Sequence, residues 1–293
     1  MEAGQAFLAR LRAGDAEGAR NEMSQEARAA TEVSALGSAV QAAQSDGAQE
    51  FALSEVFKLF APLGSREGMS LCGAPSEPDL VSRHGGTNTA LVTFEQPLVG
   101  GARTWTIYFE RDQSAWRIRH FHLGNSAIGD RDGAAMRSLA RAHASAGNAF
   151  NATILYDVST LLLSRGESFV PSEAYGLSEE RGDRHPDLSG GAPFTLRLGD
   201  EQFRVSLINV TGVNDGKLVL LLEQMREPVG DRALAIERNR ALIDAMNAHR
   251  PEWRDAFDAL VAAYPTGGRN VWRTVYSADE GYLSEPEQEP TAP

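Results

Sequence analysis

His120 and His122 are the residues of this chain best spaced to do chemistry. They lie in Ala115–Leu123 (AWRIRHFHL), whose aromatic and β-branched content predicts a strand. Residues two apart on a strand share a face, so both imidazoles are expected to project with Trp116 and Ile118. Two imidazoles so placed can converge on one metal ion if a third ligand reaches them, and Glu95 or His84 on neighbouring strands could do so. They can also act as general acid and base, because a neutral imidazole titrates near pH 7. The plainer readings are a half-polar sheet face or the lining of a ligand pocket. No metal and no cofactor is expected.

The partner strand, Arg103–Arg111, alternates Trp105, Ile107 and Phe109 with Thr104, Thr106, Tyr108 and Glu110. One face is core, and the other is a possible cavity wall to which Tyr108 brings a hydroxyl. The residues expected to bind a ligand are therefore Glu95, Trp105, Tyr108, Trp116, His120 and His122. Of these, Tyr108, His120 and His122 are the weak candidates for catalysis.

Other signals point to less. Cys72 is the only cysteine, which excludes an intrachain disulfide and a cysteine metal cluster; it reads as a small buried apolar side chain. Asn151-Ala-Thr153 and Asn209-Val-Thr211 match a glycosylation acceptor, and Arg181-Gly-Asp183 falls in a loop-like stretch. Asp130-Arg-Asp132-Gly begins like a calcium loop but lacks the later ligands and the closing Glu. Nucleophile-elbow, phosphate-loop and His-Glu-x-x-His motifs are absent from the sequence.

The net charge is −12, so a phosphate backbone or an anionic membrane surface is a poor partner. No apolar run reaches the length of a membrane-spanning helix. Lys58 and Lys217 are the only lysines, and with the abundance of Arg, Ala and Gly this suggests a GC-rich bacterial source. The N-terminus MEAGQAFLARL lacks a basic segment followed by an apolar one, so the bacterial cytoplasm is expected, or the periplasm if a signal peptide has been removed.

These residues must be positioned by an α+β scaffold. Helices are predicted over Gly4–Ala13, from the Asp15 cap to about Ala30, near Val33–Gln44 and near Gln49–Phe60. Strands follow over Met69–Cys72, Leu80–His84, Thr89–Gln96, Arg103–Arg111 and Ala115–Leu123, parted by Gly-rich or polar turns. Gly124–Gly133 reads as a linker. It separates a cone-like α+β domain, 1–124, from a mixed α+β domain, 134–283, with a disordered tail over 284–293.

The second domain is expected to hold a helical hairpin broken at Gly147–Asn148, a polar stretch over Glu167–Pro193, and a β-meander over Phe194–Leu198, Gln202–Val213 and Lys217–Met225. A C-terminal helix pair follows, from the Asp231 cap to about Asn247 and from Pro251 to about Tyr264. Asn270–Ser277 reads as a last strand. In the second helix of that pair, Trp253, Phe257 and Tyr264 would form a buried face.

The opening AFLARLRAGDAEGARNEM, the apolar FALSEVFKLFAPLG and the closing hairpin WTIYFERDQSAWRIRHFHL resemble the nuclear-transport-factor-two-like superfamily, over about Gln5–Leu123. Polyketide cyclase-like and ketosteroid isomerase-like proteins are members. The resemblance implies a curved antiparallel sheet wrapped on helices, forming a cone with an apolar mouth. It also implies either a binding or dimerising module or an enzyme.

The favoured expectation is a non-catalytic protein that binds a small apolar or amphipathic molecule or a protein partner. One alternative is an isomerase, cyclase or hydratase using Tyr108 and His120 or His122. Another is a structural subunit forming a homodimer through the open sheet face.

Overall fold

The computed structural model describes residues 2–45, 49–60, 66–83, 88–112, 115–212, 217–225, 231–265 and 271–283. The fold is α+β with curled antiparallel sheets. The chain divides into two compact units: unit 1 is Met1–Ala127 with Thr160–Tyr175, and unit 2 is Ile128–Ser159 with Gly176–Pro293. The chain first leaves unit 1 inside the stretch read as a linker, but residues 160–175 return to it.

Unit 1 opens with short helices. These are α1 (Glu2–Arg12), α2 (Ala16–Asn21), α3 (Gln25–Ala30) and, after a 3-10 turn at Val33–Leu36, α4 (Gly37–Ala43). The expected long helix after Asp15 is two. Asp15 caps α2 through Gly18 N, and Ser24 caps α3 through Ala27 N.

Unit 1 contributes four strands to one sheet, side by side in the order β1-β4-β5-β6: β1 (Ala52–Leu59), β4 (Thr89–Leu98), β5 (Gly101–Asp112) and β6 (Ala115–Ile128). A second small sheet has the order β2-β3-β8: β2 (Gly68–Cys72), β3 (Asp79–Arg83) and β8 (Phe169–Val170), the last from the returning segment.

The segment expected as a fourth helix is strand β1. Its register against β4 shifts between Leu53 and Glu55. That irregularity breaks the period-two alternation, and the leftover apolar spacing imitates a helix. Residues 61–65 and His84 lie outside the described residues.

The two sheet faces bury different things. Phe94, Trp105, Ile107 and Ile118 pack with Phe7, Leu8 and Leu11 of α1 in the main core. On the other face Leu91 and Tyr108 pack with Val81 and Phe169 of the small sheet, flanked by Phe57, Leu59 and Cys72. Trp105 is wholly buried, and its indole N–H donates to Gln96 Oε1 at 3.1 Å. Gln96 in turn donates to Ala43 O, tying the sheet to α4.

Unit 2 begins with β7 (Arg131–Asp132), α5 (Gly133–Ser145) and α6 (Ala149–Leu163), whose last turn belongs to unit 1. The polar stretch that follows carries α7 (Leu177–Arg181) between short 3-10 turns. A six-stranded sheet follows in the order β14-β13-β12-β11-β10-β9. Its strands are β9 (Phe194–Leu198), β10 (Glu201–Gly212), β11 (Leu218–Gln224), β12 (Ala259–Pro265), β13 (Val271–Ser277) and β14 (Gly281–Tyr282).

The pair β11–β12 is parallel, and α8 (Arg232–His249) makes the crossover that a parallel pair requires. Asp231 caps α8 by accepting from Ala233 N and Leu234 N. The second helix of the expected C-terminal pair is instead a 3-10 turn at Pro251–Asp255 followed by strand β12. Strand β12 is central to its sheet and reads as a continuous apolar run, which helical spacing also fits. Trp253, Phe257 and Tyr264 are nonetheless all buried.

Candidate functional site

The six expected ligand residues divide between the two faces of the unit 1 sheet. Trp105 and Trp116 pack toward the helices in the main core. Tyr108 belongs to the opposite cluster, and the His120 ring stacks on it with centroids 4.8 Å apart and planes 15° apart. Glu95 pairs with Ala52 and Thr104, is exposed, and shares the Tyr108 face through the alternation of β4.

The histidines therefore do not share a face with Trp116 and Ile118. Ile118 and Phe121 both reach the helical core, so the alternation of β6 slips by one between them. The cause is local. Ile118 N donates to Glu22 O and Ser24 N donates to Ile118 O, so the link between α2 and α3 holds β6 at this point.

Tyr108 and His120 are both engaged. The Tyr108 hydroxyl donates to Ser82 O at 3.0 Å, and His120 Nε2 shares a 2.7 Å hydrogen bond with Ser168 Oγ. Both bonds join the four-stranded sheet to the small sheet beside it: Ser82 N also donates to Ser168 O at 2.9 Å.

His122 is different. Its ring lies against the returning segment at Gly166, whose φ of +86° suits glycine. A Cβ at Gly166 would come within 2.8 Å of His122 Cβ, so no other residue fits there. Burial, and then the charge of Arg165, push the His122 pKa below its ordinary value, which holds the ring neutral.

Around His122 the structure assembles residues that sequence reasoning passed over. Glu55 faces Thr93 across β1 and β4, and Thr93 faces Thr106 across β4 and β5. His120 stacks on Tyr108, and His122 lies two residues further along β6, the strand next to β5. Glu55, Thr93 and Thr106 thus form a polar row across β1, β4 and β5, with His122 on the neighbouring strand β6. Next to it runs an apolar row, Phe57–Leu91–Tyr108.

Thr106 is 3% exposed, and its hydroxyl has no hydrogen-bond partner among the described residues. Glu55 stands at the exposed edge strand, yet the surrounding protein still penalises its charge. Burial raises its pKa most, followed by Asp79 and Glu173, while Arg165 opposes them. Arg165 thus lies within electrostatic reach of both Glu55 and His122.

The row was hidden for a physical reason. Glu55 sat in a segment with helical spacing, and threonines alternating with core residues look like any half-buried strand. The available signal was the density of Thr on one face: Thr89, Thr93, Thr104 and Thr106 are all buried.

The remaining motifs have structural roles. Asp132 caps α5 by accepting from Ala135 N at 2.8 Å. Asn151 is fully buried in α6 and donates to Glu252 O. Arg181 pairs with Asp157 at 3.0 Å. Burial, and then Asp79, push the Cys72 thiol up, which disfavours the reactive thiolate. Among the described residues no three His, Cys, Asp or Glu side chains come together as a metal site requires, and no described helix is long and apolar enough to cross a membrane. No family model matches this sequence, and no curated protein or solved structure is significantly similar to it.

Proposed function

We propose that the protein is a binding protein whose unit 1 holds a small amphipathic molecule against the polar row Glu55–Thr93–Thr106, the neighbouring His122 and the apolar row. The Thr106 hydroxyl carries this reading. It is buried and has no hydrogen-bond partner among the described residues, and buried polar groups in native proteins find a partner. A ligand oxygen or nitrogen would supply one, while Phe57 and Leu91 would meet the apolar part.

The hydrogen bonds already made by Tyr108 and His120 favour binding over the acid–base alternative. Helices packed on one face of a curled antiparallel sheet support the nuclear-transport-factor-two-like reading, now carried by the opening helices and the closing hairpin.

Native mass spectrometry of gently purified protein tests the proposal. A mass excess that disappears on denaturation, and is lost in Thr106→Val, is expected. A protein that neither retains nor gains any small molecule overturns it.

A second reading rests on the sheet edge. β1 is an edge strand, and Leu53, Val56 and Phe60 on or beside it are 42%, 40% and 73% exposed. Unpaired edges with apolar side chains recruit other strands. Light scattering that shows a dimer, broken by Val56→Lys, would favour a structural subunit.

A further inference from the structure

We infer that the molecule held by the polar row is an amphipathic organic cation, with a primary ammonium head seated among Glu55, Thr93, Thr106 and His122. The inference rests on the binding reading given above and adds the chemistry of the head group.

The first argument is the kind of hydrogen bond on offer. The Glu55 carboxylate can only accept, and a neutral imidazole has one nitrogen that accepts. The Thr93 and Thr106 hydroxyls can each accept as well. An ammonium has three donors and no acceptor, which matches a set of acceptors. A carboxylate head would put two acceptors against Glu55 and leave that charge opposed.

The second argument is charge. Asp79 starts β3 opposite Cys72 on β2, and Cys72 packs against the same buried cluster as Phe57 and Leu59 of β1, the strand that carries Glu55. Ser172 N donates to Asp79 Oδ1 at 2.8 Å, which brings Glu173 to the same end. Three carboxylates therefore gather there, and Glu55 responds to both of the others. Arg165 is the cation that opposes them, and its Nη1 donates to Leu162 O and Ser164 O. A cationic head group is attracted to an end of the row where carboxylates gather.

The third argument is independent of charge. Thr106 and Thr93 are 3% and 1% exposed, and the buried Thr106 hydroxyl, without a partner among the described residues, lies in the row beyond Glu55 and Thr93. The row beside it carries aromatic rings: Phe57 lies 5.4 Å from Phe169, and Tyr108 stacks on His120. Aromatic faces attract a cation as well as an alkyl chain.

Calorimetric titration with three probes of equal chain length, n-octylammonium, octanoate and octanol, all below their micelle concentrations, tests the inference. Octylammonium is expected to bind at least about tenfold tighter than octanoate. Its affinity should fall about fivefold in Glu55→Gln, as for loss of one partly exposed ion pair. Glu55 is exposed, so this variant should fold, and a melting curve checks it. Octanoate binding as tightly as octylammonium overturns the inference, as does octanol matching it. Either result leaves the site itself standing. If none of the three binds, the cation assignment falls. The binding reading then stands or falls separately on whether Thr106→Val removes a retained molecule.

Discussion

Thr106→Val gives the sharpest test of how the interior of unit 1 is organised. Valine has almost the shape of threonine, is also β-branched, and suits a central strand equally well. The exchange therefore removes a hydroxyl and little else. Thr106 is 3% exposed, and its hydroxyl has no partner among the described residues. A buried hydroxyl without a hydrogen bond costs about 1–3 kcal/mol in protein mutational data. Allowing for some relaxation, the ligand-free variant should be more stable than the parent by about 1 kcal/mol.

In a domain of the size of unit 1 that gain is a rise in melting temperature of roughly 2–4 °C. The assay is thermal and urea unfolding of both proteins after the ligand has been stripped by refolding. Thr106→Ser is the control: it keeps the hydroxyl, loses the methyl, and should cost about 1 kcal/mol. In the presence of the ligand the sign for valine reverses, because the parent gains binding energy that the variant lacks. A ligand-free Thr106→Val that loses 1 kcal/mol or more would refute the reasoning, since the hydroxyl must then be satisfied within the protein.

Four further outcomes are expected. Trp253→Ala should destabilise unit 2 by about 3–5 kcal/mol, because the side chain is fully buried and its indole N–H donates to Asn247 Oδ1; a loss under about 1 kcal/mol in urea unfolding would contradict that packing. Asp187→Asn should cost about 2–3 kcal/mol, because this buried carboxylate accepts from both Arg197 and Arg250; the figure is below that for a fully buried pair since Arg197 is largely exposed, and chemical denaturation measures it. Stability should fall as the pH drops below about 6.5, because burial lowers the pKa of His122, His143 and His185 and each must be protonated at a cost in the folded state. Glu55 acts in the opposite sense. Its raised pKa means that its ionised form costs stability above the ordinary carboxylate range, so Glu55→Gln should raise the melting temperature at pH 7. Melting curves from pH 5 to 8 on the parent, His122→Gln and Glu55→Gln check both signs.

Some of this protein is written locally in its sequence. Asp15, Asp132 and Asp231 begin helices because a carboxylate can accept from the free N–H groups of the first turn, a property of a few adjacent residues. The helical hairpin broken at Gly147–Asn148 and the meander that starts at Phe194–Leu198 follow from turn chemistry and short-range periodicity. Burial of Trp253, Phe257 and Tyr264 follows from their apolarity alone, whichever element carries them.

The rest required the fold. β1 and β12 are strands because a distant strand offers each a ladder, and no window of local sequence contains that partner. The slip in β6 that turns His120 and His122 away from Trp116 comes from hydrogen bonds between Ile118 and residues about a hundred positions earlier. The site depends on distance in the same way. Glu55, Thr93, Thr106, His122 and Arg165 have no common motif; antiparallel registers align the first three, and the chain's return to unit 1 sets Arg165–Gly166 against His122. Capping and turn preferences act over three or four residues, so the sequence alone determines them. Strand register and the approach of a returning segment are set by which large surfaces can be buried together, and only the tertiary structure decides that.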